Sequence, residues 1–136
     1  MSGTLYIKHF IDRDFVKAHP NALFAFGDNL AGRGLAGQAK EMRGEPNAVG
    51  IPTKFYPTVV EADYFHDDDL SKVYPFIEDA INILIYHLED GGDVYWPSAG
   101  IGTGLADLPN KAPAIMEYID IRFRDLQDAA DVIQFV

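Results

Sequence analysis

The sequence predicts a single α/β domain built on a parallel or mixed sheet, and three observations predict it. Short apolar runs suited to strands alternate with segments of helical periodicity, which is the pattern of βαβ crossovers. Two glycine-rich turns, Gly27 to Gly37 and Gly100 to Gly104, each follow a strand-like run. The 136 residues, 48% hydrophobic and 24% charged, have the size and composition of one domain with its own core, spanning residues 1–136 without repeats or linkers.

Leu5 to Phe10 alternates apolar and polar residues and predicts a strand, with Asp12 as the cap of a short helix over Arg13 to Ala18. Pro20-Asn21 marks a turn. Ala22 to Phe26 is a continuous apolar run, as expected of a strand covered on both faces. Leu35, Ala36, Ala39 and Met42 are spaced for one buried face of a helix over Leu35 to Arg43, ended by Gly44, Glu45 and Pro46. Ala48 to Ile51 predicts a short strand stopped by Pro52. Phe55 to Phe65 is β-prone, and Asp67, Asp68 and Asp69 read as a mobile loop and helix cap. From Leu70 to Leu88 the apolar positions keep a 3.6-residue period until Gly91-Gly92. Asp93 to Trp96 predicts a strand entering the second glycine turn. Lys111 to Leu126 predicts a helix, and Asp131 to Val136 a last strand.

Composition excludes several classes. The formal net charge of −10 argues against binding a nucleic-acid backbone, which needs a basic surface. A single nucleotide is still compatible, because backbone amides and one or two cations can hold it. The absence of cysteine removes disulfides, thiolate zinc sites and a cysteine nucleophile. No charged segment, apolar run and cleavage site open the chain, and no apolar stretch approaches the ~20 residues of a membrane span, so a cytoplasmic location is expected.

The chemistry concentrates in the two glycine turns. Glycine permits positive φ and close approach of a ligand to the backbone, and a helix N-terminus supplies unpaired amides and a partial positive charge. A diphosphate is the natural guest, and two such turns after inner strands favour a ligand site over plain tight turns. Neither turn is a Walker motif. Gly32-Arg33-Gly34-Leu35-Ala36-Gly37 has the Gly-x-Gly-x-x-Gly spelling but not its Rossmann context.

Phe26-Gly27-Asp28-Asn29-Leu30, followed by Gly32-Arg33-Gly34-Leu35-Ala36-Gly37-Gln38-Ala39, resembles the strand, asparagine and glycine-rich helix start of the macro domain family. Trp96-Pro97-Ser98-Ala99-Gly100-Ile101-Gly102-Thr103-Gly104-Leu105 resembles that family's second phosphate loop. The resemblance covers most of Leu23 to Val136, apart from Phe55 to Asp69. It implies a three-layer α/β/α fold with a mixed, largely parallel sheet. It also implies binding of ADP-ribose or a related NAD-derived nucleotide, free or attached to protein or nucleic acid, with no metal and no cofactor. The expected ligand contacts are Gly27, Asp28, Asn29, Gly32, Arg33, Gly34, Leu35 and Gly37 in the first turn. In the second they are Ser98, Gly100, Ile101, Gly102, Thr103, Gly104 and Leu105.

The closer likeness is to the branch with terminal ADP-ribose protein glycohydrolase and ADP-ribose 1''-phosphate phosphatases, which implies hydrolysis at the distal ribose. The alternative is a non-catalytic reader or sponge. The resemblance puts Lys54 and Asp107 at the chemically active positions beside Asn29, although Ala106 adds a residue before Asp107, which also reads as a helix cap. Asn29 can bond ribose hydroxyls or form an Asx turn. Asp28 can hold a ribose or adenine amine or act as a base, and Arg33 either pairs with a phosphate or is solvated. Gln38 and Lys40 belong to the following helix, with Lys40 on its solvent face. His66 with Asp67 to Asp69 reads as a solvated acidic loop rather than a divalent-metal cluster. Tyr56, Tyr64, Phe65 and Trp96 are the aromatic candidates for stacking on a base, against a core role.

Overall fold

The computed structural model describes residues 1–136. Its sheet is entirely parallel, with five strands in the order β3-β2-β4-β1-β5. The strands are β1 Thr4–Lys8, β2 Leu23–Asn29, β3 Ala48–Lys54, β4 Val94–Pro97 and β5 Val132–Phe135. No strand runs against the others, so the expectation of a mixed sheet is corrected. Each long connection crosses a face of the sheet, which is what parallel neighbours require.

Helices cover both faces. Helix α1 (Arg13–Ala18) and the single turn α2 (Ala39–Met42) pack on one side, where Val16, Ala39 and Met42 meet Phe24, Phe26 and Tyr95. Helix α3 (Leu70–Glu89), the short α4 (Leu108–Lys111) and α5 (Pro113–Ala129) cover the other side with the larger core, which includes Leu5, Ala25, Val94 and Trp96. The alternation of Phe24, Ala25 and Phe26 between the two cores follows from the period of two along a strand. Asp12 caps α1, accepting the Phe15 N–H at 2.8 Å. No helix is long and apolar enough to cross a membrane.

Four local expectations change. The helix expected from Leu35 begins only at Ala39, because Gly34 and Gly37 adopt φ of +97° and +60°, which no helix admits. Strand β3 does not stop at Pro52 but runs to Lys54. As an edge strand paired only with β2 it tolerates a residue without an N–H, and its register shifts immediately after the Asp28↔Pro52 pair. Phe55 to Phe65 forms no strand; it holds one isolated bridge, Lys54↔Tyr64, and a 3₁₀ turn at Glu61–Asp63. Asp67 to Asp69 form a second 3₁₀ turn tied into the fold. Asp67 Oδ1 accepts the Ala114 N–H at 2.9 Å, capping α5, and Asp69 Oδ2 accepts the His66 N–H at 2.9 Å.

The strand order fixes where a crevice forms. From β2 the chain moves outward to β3, whereas from β4 it moves past β1 to β5 on the opposite edge. Connections that leave adjacent parallel strands in opposite directions open a cleft at their carboxyl ends, where α/β sheets bind ligands. Both glycine turns sit there.

Candidate functional site

The crevice is a cavity of about 450 Å³ between the two glycine turns. Its floor begins at Gly27, whose missing Cβ would stand 3.8 Å from the Ile101 side chain and 4.0 Å from the Gly102 nitrogen. The turns therefore face one another.

In the second turn the amides of Ile101, Gly102, Thr103, Gly104 and Leu105 have no acceptor within the protein. The carbonyls of this turn are engaged: Gly102 O accepts from Leu108 N at 2.9 Å, Gly104 O from Asp107 N at 3.0 Å, and Gly100 O from Gln38 Nε2 at 3.0 Å. A trans peptide directs its N–H opposite to its C=O, so the amides of Ile101, Thr103 and Leu105 point away from those donors. Gly100 and Gly102 both have φ of +88°. A row of free amides on a left-handed turn is an anion-binding surface. Gly102 itself is buried, which makes an unpaired N–H there costly unless a ligand or water takes it.

The first turn is braced from beneath. Arg43 donates to both carboxylate oxygens of Asp28, from Nε to Gly34 O at 2.7 Å, and to Arg33 O at 3.3 Å. Asp28 Oδ1 also accepts the Asn29 N–H at 2.7 Å. The carboxylate lies over Gly50, where a Cβ would come within 2.5 Å of Oδ2, so only glycine leaves room for it. Asp28 lines the cavity with its carboxylate paired to Arg43. Asn29 Nδ2 donates to Arg33 O at 2.8 Å, while its Oδ1 is buried without a partner. Thr53 Oγ1 donates to Asp28 O at 3.0 Å.

Lys54 lines the cavity and is only 8% exposed. Its ammonium donates to Thr58 O and stands 4.1 Å above the Tyr64 ring. Burial holds its pKa below the ordinary lysine value; Asp63 partly opposes this, and the nearby Lys111 adds to it. Lys111 is 4.4 Å from the centre of the same ring. It donates to Glu61 at 2.8 Å, which raises its own pKa and lowers that of Glu61.

The charged cavity lining consists of Arg33, Arg43, Lys54 and Asp28, an excess of cations within a chain of net charge −10. The exposed Arg33 lies 5.6 Å from the Tyr56 ring and has no carboxylate partner.

Of the residues expected at the site, Gly27, Asp28, Asn29, Arg33, Gly34, Gly37, Lys54, Gly100, Gly102, Thr103, Gly104 and Leu105 line this cavity. Gly32 and Leu35 do not. Ser98 and Ile101 line a second cavity of about 220 Å³, which shares Gly100 and Thr103 with the first. Asp107 lines neither: it adopts φ of +50° at the start of α4 and accepts from Asn110 at 2.7 Å. Trp96 lies in the second cavity, 4.6 Å from the Phe123 ring, with Met116 and Phe135 on its walls. Tyr64 is packed between two lysines, and Phe65 is core, edge-on to Phe55. No cluster of three His, Asp or Glu side chains is placed to hold a metal ion.

Sequence reasoning missed Gln38, Arg43 and Thr53, all of which line the cavity. Gln38 stands at the N-terminal cap of α2, where its Oε1 accepts the Gly27 N–H at 2.8 Å while Nε2 donates to Gly100 O.

The model of a family of unknown function, DUF7831, matches residues 6–122. The chain belongs to the DUF7831 family. The matched region holds the whole first cavity and both glycine turns, so the site lies in the part of the chain that defines DUF7831. Comparison with curated proteins and with solved structures gives no match.

Proposed function

We propose that the chain binds ADP-ribose, or another NAD-derived ADP-ribosyl nucleotide, in a macro-domain-like crevice at the carboxyl ends of β2 and β4. The row of free amides from Ile101 to Leu105, facing the braced first turn, carries this reading. Those amides suit the oxygens of a diphosphate, and Arg33 and Lys54 on the cavity lining supply positive charge within a chain of net charge −10. Asn29 lines the cavity, and a carboxamide at that position suits a ribose hydroxyl. The second cavity, beside Trp96 and lined in part by the same Gly100 and Thr103, suits a flat base. The motif resemblance of both turns points to the same ligand.

A second reading adds hydrolysis at the distal ribose, and Lys54 favours it. A cavity-lining amine shifted by burial toward its neutral form can attack an opened C1'' aldehyde or stabilise an oxyanion. Asp107 does not line the cavity, so this reading rests on Lys54 and Asn29. Incubation with ADP-ribosylated protein, ADP-ribosylated nucleic acid and ADP-ribose 1''-phosphate separates the readings. Turnover lost in Lys54→Ala supports the hydrolase; binding with full recovery of each substrate leaves a reader or sponge. Absence of binding to ADP-ribose overturns both.

A further inference from the structure

Strands β2 and β4 share only the register pairs Leu23↔Val94 and Phe24↔Tyr95, although β2 continues to Asn29. Beyond Phe24 they part, and the gap becomes the floor of the crevice. Three residues further along β2, the Gly27 N–H donates to Gln38 Oε1 at 2.8 Å rather than to a neighbouring strand. The same carboxamide donates from Nε2 to Gly100 O at 3.0 Å, at the start of the second turn. One planar amide thus accepts from the β2 side and donates to the β4 side, as a peptide group of an intervening strand would do.

The residue type matters. A carboxylate of the same shape would keep the Gly27 contact but have no proton for Gly100 O, and a methionine would fill the space with neither bond. A Cβ at Gly27 would sit 3.6 Å from Oε1, in ordinary contact, so the bridge itself does not require glycine at that position. The width of the crevice at this point is therefore set by the Gln38 side chain. Both glycine turns hang from the strands it bridges.

We propose that Gln38 is a positioning residue that holds the two glycine turns at the separation at which one ligand with two linked phosphates engages both, and so selects diphosphates over monophosphates. The choice of nucleotide probes rests on the ADP-ribose reading; the bridge itself does not. Calorimetric titration of wild type, Gln38→Met and Gln38→Ala with ADP-ribose and with AMP tests the selection. The expected result is a loss of at least tenfold in ADP-ribose affinity with AMP affinity changed less than threefold, because AMP has no second phosphate to reach the far turn. A parallel loss for both nucleotides, or no loss for either, overturns the proposal. Amide hydrogen exchange at Gly27 reads the bridge without any ligand. Exchange should accelerate at least tenfold in Gln38→Met at unchanged global stability, and unchanged protection overturns the bridge. Wild type that binds neither nucleotide overturns the ADP-ribose reading, while the Gly27 exchange rate still decides on Gln38.

Discussion

Gly102 is where the second turn is most tightly specified, and Gly102→Ala has a cost that follows from the structure. A Cβ at this position would stand 2.4 Å from Leu108 Cδ1 and 3.1 Å from Leu108 Cγ. Leu108 is fully buried in the larger core, so any shift it makes displaces packed neighbours. Forcing a methyl group into such packing costs about 1–3 kcal/mol. The φ of +88° adds about 1–2 kcal/mol for an L-residue. The sum is roughly 2–5 kcal/mol, which for a domain of this size lowers the melting temperature by about 6–18 °C. Two controls isolate the terms. At Gly32 (φ +66°) nothing lies within 4 Å of an added Cβ, so Gly32→Ala should show only the backbone cost. Gly104 has neither a neighbour within 4 Å nor a positive φ, so Gly104→Ala should be neutral within about 0.5 kcal/mol. Urea denaturation of the three variants, compared at equal slope, gives the differences directly. A Gly102→Ala midpoint indistinguishable from wild type, or a Gly104→Ala cost equal to it, would refute the reasoning.

Arg43→Ala leaves the Asp28 carboxylate, whose side chain is 14% exposed, without its partner, and should cost roughly 2–4 kcal/mol in urea denaturation. Arg43→Lys should recover only part of this, because lysine lacks the planar fork that reaches Asp28 and the Gly34 carbonyl together; full recovery would contradict the brace. Burial lowers the Lys54 pKa below 10.5, so its folded-state penalty stands in full below the folded pKa and fades as pH rises toward 10.5. Wild type should therefore gain stability relative to Lys54→Met through that window, and a relative loss in urea midpoints would contradict the assignment. Asp67→Ala removes the cap that α5 takes from outside its own sequence and should cost about 1 kcal/mol, read as a shift in melting temperature.

The order of elements was legible in the sequence because period and composition are local. The apolar run around Phe24 to Phe26 and the 3.6-residue spacing of α3 each carry their own evidence. Errors arose where the deciding contact is distant. The spacing of Leu35, Ala36, Ala39 and Met42 is helical, yet the two left-handed glycines that delay the helix follow the shape of a loop held by Arg43. Pro52 reads as a strand stop, but an edge position makes it harmless, and which strand is an edge is a property of the whole sheet. Asp67 to Asp69 look like a solvated run until Ala114 is placed against them.

The same division holds for the site. Glycine turns and Asn29 announce themselves by residue type and by position after strands, whereas Lys54 is marked only by the resemblance. Gln38 and Arg43 do not, since a glutamine bridging two strand ends and an arginine bracing a loop have no local pattern. Gly50, two residues before Pro52, was a sign that something crosses the strand at that point, and Asp28 is what crosses. Asp107 was drawn in by a motif position, but its left-handed backbone and its contact with Asn110 set it outside both cavities.

The central claim is that the free amides of the second turn bind the phosphates of an ADP-ribosyl nucleotide. It is tested most directly by following backbone amide resonances during titration with ADP-ribose. The account predicts that Ile101, Gly102, Thr103, Gly104 and Leu105 shift together with residues of the first turn and saturate on one binding curve. Shifts confined to other parts of the surface, or none at millimolar nucleotide, would contradict it.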